Sequence, residues 1–417
     1  MSFLRRRILT AALVANALRP IPGFRGGIAS FVPGWMTTEL APHLFAVTAA
    51  DTAAHAVWGG SRGRRSRAGL VLGGASLVGL AALLQQARHA REDTEAALAT
   101  GLGADYVDQL DPQPSPADLA VPWRRLVYPF RMRNLAVRVE RDIAYAPEHG
   151  KRGLLDVYRP AEGDHTGAPV LVQVHGGGWT IGSKDQQGLP LMNHLAAKGW
   201  VCVALNYRLA PRDPFPAQII DVKRALAWVK EHIAEYGGDP DYVAITGGSA
   251  GGHLAALAAV TPNDPAYQPG FEDADTSVQV AVPHYGVYDF AASTGMRRAE
   301  LMRDRFLAPR VVGRTYAEAP EVFEAGSPLL RITPDAPDFF VIHGTHDGLV
   351  PVEQARLFVE RLREVGKATV SYAELPGAQH AFDMFPSIRS TYVVRAIDRY
   401  LHWHWNRWRR SRPDTAA

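Results

Sequence analysis

The sequence predicts an α/β protein: a mostly parallel, eight-stranded sheet with helices on both faces and a helical cap, preceded by an N-terminal helical, membrane-associated region. Three observations carry this. Eight short runs rich in Val, Ile, Leu and Tyr follow one another between residues 137 and 377, with helical stretches between several of them. Several of those runs stop at glycine-crowded corners, as strands feeding helices do. Residues 1–91 hold 11 Arg and no Lys against only Glu39 and Asp51, a composition unlike the rest of the chain. At 417 residues, 47% hydrophobic and 21% charged, the chain can bury one large core with an appendage.

From the N-terminus, "RRRILTAALVANAL" has the charged start of a signal peptide, but its apolar run is short and no small-residue cleavage site follows, so it reads as retained. Residues 39–58 carry Glu39, Pro42, His43, Asp51 and His55, which makes a re-entrant or interfacial helix as good a reading as a span. Residues 68–86 are uncharged and long enough to cross a bilayer, with glycines and alanines suited to close helix packing. Four arginines precede them in "RGRRSR" (62–67), and Arg88 and Arg91 follow. That asymmetry puts the arginine-rich side in the cytoplasm and everything after residue 90 outside, the alternative being the cytoplasmic face.

Residues 1–100 form the N-terminal region and residues 101–417 the globular domain in this reading, with "LDPQPSPADLAVP" (110–122) as linker or loop. The strand runs are "VRVERDIAYA", "LLDVYRP", "VLVQVHGG", "VCVALNYR", "VAITGGS", "VQVAVPHYG", "FFVIHGTHD" and "ATVSYAELPG". Antiparallel strands first and βα alternation afterwards imply the parallel sheet. Residues 101–134 and 287–330 are the expected cap elements. In the tail "RAIDRYLHWHWNRWRR", Val394, Ile397, Leu401, Trp405 and Trp408 follow helical spacing, while Trp403 and Arg407 fall off that stripe and suit a membrane interface.

The chemistry concentrates at strand ends. In "VAITGGSAGGHLAAL", Ser249 sits on the turn from strand to helix, with Gly247 and Gly251 removing side chains that would obstruct it. A serine needs a base, and the base needs an orienting carboxylate. "HGTHDGLVP" supplies Asp347 and "LPGAQHAF" supplies His380, each after a later strand. "VQVHGGGWTIG" places Gly177 and Gly178 where backbone N–H groups can meet a developing oxyanion, and the N–H of Ala250 completes that hole. His175, His253, His284, His343 and His346 read as structural, and no spacing among them suggests a metal face. Cys202, the single cysteine, excludes a disulfide framework and reads as a buried strand residue.

From about residue 135 to 405 the chain resembles an α/β-hydrolase of the bacterial hormone-sensitive-lipase and carboxylesterase type. The resemblance rests on "HGGGW", "NYRLAPRDPFPAQIID", "GGDP", "GGSAGGHLA", "HGTHDGLVP" and "GAQHAF", in that order. It implies that Ser249, Asp347 and His380 form a catalytic triad and that Gly177, Gly178 and Ala250 donate to the oxyanion. Arg212 departs from the pattern, standing where the family continues "RLAP" with an acidic residue or a histidine. The N-terminal region is similar to that of membrane-associated lipolytic esterases of actinobacteria.

The expected activity is hydrolysis of short- to medium-chain acyl esters, without cofactor or metal. An amidase, formamidase or acyltransferase with the same triad is the alternative, as is a non-catalytic ligand-binding receptor on this scaffold. The expected partners are a small-molecule acyl ester or lipid substrate and a membrane surface. An acidic body between basic ends argues against nucleic acid.

Overall fold

The computed structural model describes residues 1–21, 23–59, 63–163 and 165–412, so Arg62 of the arginine cluster lies outside the described residues. Four helices open the chain: α1 (Phe3–Leu18), α2 (Phe24–Glu39), α3 (Ala41–Trp58) and α4 (Arg64–Leu102). The uncharged stretch 68–86 is the first half of α4, whose 39 residues extend about 58 Å. By length and composition α4 can cross a membrane.

Small residues on α4 set how its neighbours pack. Gly69 lies against Phe3, Gly73 against Arg7 and Thr52, and Gly79 against Val14 and Leu18. These pairs run α1 parallel to α4 at close range, as a Gly-x-x-x-Gly face permits. Helix α3 runs back along both: Ala41 packs with Leu80 and Leu83, and His55 bonds Ser66 at the other end. Arg6 and Arg7 both pair with Asp51, at 2.7 and 3.0 Å. Outside this bundle Ile8, Val47, Val57, Trp58, Val71 and Val78 are exposed.

The rest of the chain is built on one eight-stranded sheet in the order β1-β2-β4-β3-β5-β6-β7-β8. The strands are β1 (Val137–Ala144), β2 (Leu154–Pro160), β3 (Ala168–Val174), β4 (Val201–Leu205), β5 (Gly238–Gly248), β6 (Val280–His284), β7 (Asp338–Gly344) and β8 (Val370–Leu375). All eight expected runs are strands. Among the described residues only β1–β2 and β2–β4 pair antiparallel, as the strands-first pattern implies. The central strands β3 and β4 are buried along their whole length, which is why they read as unbroken apolar runs.

Helices α5 (Leu189–Ala196), α6 (Ala217–His232), α7 (Ala250–Val260), α8 (Val352–Val365) and α9 (Ile388–Arg410) cover the sheet. One core holds β-sheet residues such as Val172 and Ile245 with α6, α7 and α8, and a second holds the opposite face with α5 and α9. The lower half of α4 joins the second core through Ala90, Ala97 and Leu98. Cys202 is buried in β4, and burial pushes its thiol up, away from reactivity.

The tail corrects one expectation. Trp403 is 6% exposed and its indole N–H donates to Gln109 Oε1 at 2.9 Å, so it belongs to the fold rather than to an interface. Arg407, the other off-stripe residue, stacks over the Trp403 ring and approaches Asp338. Helix α9 starts beside Ala87 of α4 and ends beside Tyr242, at the start of the central strands. Its 23 residues carry the Trp/Arg tip about 30 Å from that first contact.

Candidate active site

Every predicted site residue lies at the carboxyl edge of the sheet. Ser249 adopts φ +59°, ψ −121°, the strained corner between β5 and α7, and its N–H donates to His284 O at 3.0 Å. The glycines around it are needed for close approach: a Cβ on Gly251 would run into Val174 O, and one on Gly247 into Gly251 O. The Ser249 hydroxyl has no hydrogen-bond partner among the described residues.

Asp347 and His380 meet directly. His380 Nδ1 donates to Asp347 Oδ2 at 2.7 Å, which assigns its proton to Nδ1 because an ionised carboxylate only accepts. Asp347 Oδ1 accepts the N–H groups of Leu349 and Val350, both at 2.8 Å. His343 Nε2 also reaches Asp347 Oδ2, at 3.1 Å. Burial alone would raise the Asp347 carboxyl, but the charge of His380 and the two histidine hydrogen bonds outweigh it and hold the group well below the usual carboxylate range.

The serine corner and the histidine loop are joined by a layer that sequence reasoning missed. Tyr285 stacks tilted on His380 with ring centroids 4.6 Å apart, and its hydroxyl lies where a Cβ on Gly248 would stand. The Asp383 carboxylate accepts from the Tyr285 hydroxyl and from His284 Nδ1, the latter at 2.5 Å. Gln379 Oε1 accepts from Gly348 N at 2.6 Å and His380 N at 3.0 Å, fixing the two loops to each other. The only signal for Asp383 and Gln379 was proximity to His380 in sequence. Nothing local marked Tyr285 or His343 as partners.

The glycine loop after β3 faces the same corner. A Cβ on Gly176 would stand 3.2 Å from Ser249 Cβ, and Gly176 N–H donates to Gln187 Oε1 at 2.6 Å. Gly177 and Gly178 take φ +113° and +57°, conformations that favour glycine. Ala250, buried, begins α7 directly after the serine. His175 stacks on Tyr207, and its Nδ1 lies 2.7 Å from Gly176 O. His253 accepts from Trp179 Nε1–H at 3.2 Å and donates to Gly326 O at 2.8 Å, tying the glycine loop to α7. Of the expected cap, residues 287–330 bring Phe306 against Gly178 and Arg298 onto the carbonyls of Asp347 and Gly348. Residues 101–134 reach the region through Phe130, 5.1 Å from Phe385 between ring centroids.

Helix α2 also lies on the site. Phe31 sets its ring edge-on to His380, 5.7 Å between centroids, and Trp35 packs on Phe385. Gly27 meets Gly348 so closely that a Cβ there would strike the Gly348 carbonyl. At the other end Glu39, 4% exposed, bonds Arg389 at 2.5 Å and Ser387 at 2.6 Å. The N-terminal helices thus reach the loops of Asp347 and His380.

Burial lowers His175 to about 4 and His253 to about 3 from the ordinary 6.5, with carbonyl hydrogen bonds offsetting part of it. Both titrate near 6.5 once unfolded, so the stability these neutral rings contribute is complete above pH 6.5 and declines as pH falls toward their folded values. His253→Gln therefore loses less stability than the native chain between about pH 7 and pH 5, by up to about 2 kcal/mol. Urea titrations at both pH values read the difference, and equal losses would mean that His253 is protonated in the folded protein.

The fold is that of an α/β-hydrolase of the esterase class. Residues 155–362 match the family model BD-FAE. The chain is 45% identical to the probable carboxylic ester hydrolase LipM of Mycobacterium tuberculosis, across 94% of this chain and 91% of that protein. Esterase LipQ of the same organism is 52% identical across 62% of this chain and 61% of its own. Among solved structures, a thermophilic esterase from the Planctomycetes species Thermogutta terrifontis, with butyrate bound, matches at TM-score 0.53 and 26% identity, covering 65% of this chain and 94% of that one. The chain belongs to the carboxylic ester hydrolases of the hormone-sensitive-lipase and carboxylesterase type, and it is an enzyme of that activity.

Proposed function

We propose that the protein hydrolyses short- to medium-chain acyl esters through an acyl-enzyme, with Ser249 as nucleophile, His380 as general base and acid, and Asp347 as the carboxylate that orients His380. The observation that carries this is the 2.7 Å Asp347–His380 hydrogen bond, with Tyr285 packed between His380 and Gly248, the residue before the strained Ser249. Ser249 Oγ attacks the ester carbonyl as His380 Nε2 takes its proton; the tetrahedral oxyanion meets the N–H groups of Gly177, Gly178 and Ala250. Collapse expels the alcohol, which receives the proton from His380. A water molecule, deprotonated by the same nitrogen, then releases the acid and regenerates the serine. The related Thermogutta esterase holding butyrate supports a short acyl group.

Residues 1–100 serve in this reading as a membrane anchor and residues 101–417 as the catalytic domain. The apolar first half of α4 supports one crossing, with α1 and α3 packed along it, which leaves Arg5, Arg6, Arg7, Arg64, Arg65 and Arg67 on one side and the catalytic part on the other. Positive charge on the cytoplasmic side puts catalysis outside the cytoplasm.

A p-nitrophenyl ester series beside an anilide series tests the chemistry, with a fluorophosphonate probe testing the nucleophile. Ester turnover falling beyond medium chains and covalent labelling at Ser249 are expected. Faster anilide than ester turnover makes it an amidase, and absence of labelling at Ser249 overturns the mechanism.

A further inference from the structure

Residues 123–135, "WRRLVYPFRMRNL", are absorbed by neither the sheet nor the catalytic site. Trp123, Val127, Tyr128, Phe130 and Leu135 are exposed, Leu135 by 82%. Between them Arg124, Arg125, Arg131 and Arg133 are exposed too, and no acidic residue occurs from 119 to 139. Exposed aromatics interleaved with arginines are what the boundary layer of a bilayer selects: rings partition to the headgroup depth and guanidinium groups meet lipid phosphates.

The position of the segment is specific. Leu126 is buried with Ala87 of α4 and Ile388, and Leu84, Val121 and Tyr392 pack against that cluster. The segment therefore sits at the level where the uncharged stretch 68–86 ends. His43, at the start of α3, lies 3.3 Å from Val127 O, so the other bundle helix turns at this level as well. The catalytic loops share it, since Gly377, three residues before His380, lies against Gln86. From Phe130, aromatic rings continue through Phe385, Trp35 and Phe31 to His380. Helix α2 exposes Ile28 and Val32 alongside.

We propose that residues 123–135 dock on the anionic headgroup layer of the bilayer crossed by α4, so that the active-site mouth opens at the water–lipid boundary and receives amphiphilic esters from the membrane. This rests on the esterase and bilayer readings above. The four arginines match the charge of such a surface, and the exposed rings match its depth. An ester already partitioned into the bilayer reaches His380 and Ser249 along the Phe31 side without crossing open water.

The buried, unreactive Cys202 leaves the full chain free for single introduced cysteines. Phe130→Cys, Val78→Cys and Arg409→Cys, each carrying an environment-sensitive nitrobenzoxadiazole label, are reconstituted in phosphatidylcholine vesicles with and without phosphatidylglycerol. The expected result is a blue-shifted label at 130 that shifts further with phosphatidylglycerol, a lipid-immersed label at 78 and an aqueous one at 409. An aqueous label at 130 with a lipid-immersed one at 78 overturns the docking surface and leaves the bilayer reading standing. Aqueous labels at both overturn both. Converting Arg124, Arg125, Arg131 and Arg133 to Gln is expected to lower turnover of a vesicle-borne ester about tenfold or more relative to a soluble p-nitrophenyl ester, at about fivefold per surface arginine before saturation. An unchanged ratio overturns the proposal, whereas loss of soluble-ester turnover in the native chain itself would strike the esterase reading.

Discussion

Ser249→Ala folds normally and hydrolyses esters about 10⁴-fold or more slowly than the native protein. The hydroxyl bonds nothing among the described residues, so its removal takes no contact from the fold, and alanine keeps the positive φ no worse than serine did. The whole cost falls on the step in which the carbonyl carbon gains a fourth neighbour as its C=O π bond opens onto oxygen. His380→Ala costs about as much, and the double variant costs no more than either alone, because nucleophile and base act as one unit. Turnover of p-nitrophenyl butyrate and thermal unfolding measured on the same samples separate chemistry from folding. If Ser249→Ala kept a tenth of the native rate, another nucleophile would be at work.

Asp347→Asn has the next largest expected effect, a loss of about 10⁴-fold in kcat. The direction follows from the two oxygens. Oδ1 accepts two backbone N–H groups, from Leu349 and Val350, so an asparagine must turn its amide oxygen that way. Its NH2 then faces His380 Nδ1 and His343 Nε2. His380 is forced to accept at Nδ1 and carry its proton on Nε2, the tautomer that cannot take a proton from serine. KM changes little, since the carboxylate is buried behind the ring. A variant with more than a tenth of native kcat would mean that another acid orients the ring.

How much of this was legible follows from where the information sits. The strands, the Ser249 corner and the glycine loop are written in consecutive residues, through alternating burial and small side chains, and local patterns are what sequence reasoning reads. Asp347 and His380 were legible by rule, because each lies in the loop after a strand that the topology brings to one edge. Tyr285, Asp383 and His343 were not, because they act through partners that no spacing predicts. The contact of α2 with His380 depends on residues 31 and 380, with the whole sheet folded between them. Trp403 was misread because its partner Gln109 comes from a segment with no periodicity of its own.

The buried Glu39–Arg389 pair has a consequence for biosynthesis. Its members are 350 residues apart. At ribosomal rates of about 5–20 residues per second, Arg389 follows Glu39 by roughly 20–70 s. Throughout that interval the carboxylate lacks Arg389, and for most of it α2 has neither Gly348 nor His380 to rest against. The first helices made are thus among the last to lock, and the loops they brace reach their working geometry only when the final helix has left the ribosome. A nascent chain stalled before residue 389 would carry the serine, the aspartate and the histidine and still lack the clamp that holds α2 over them.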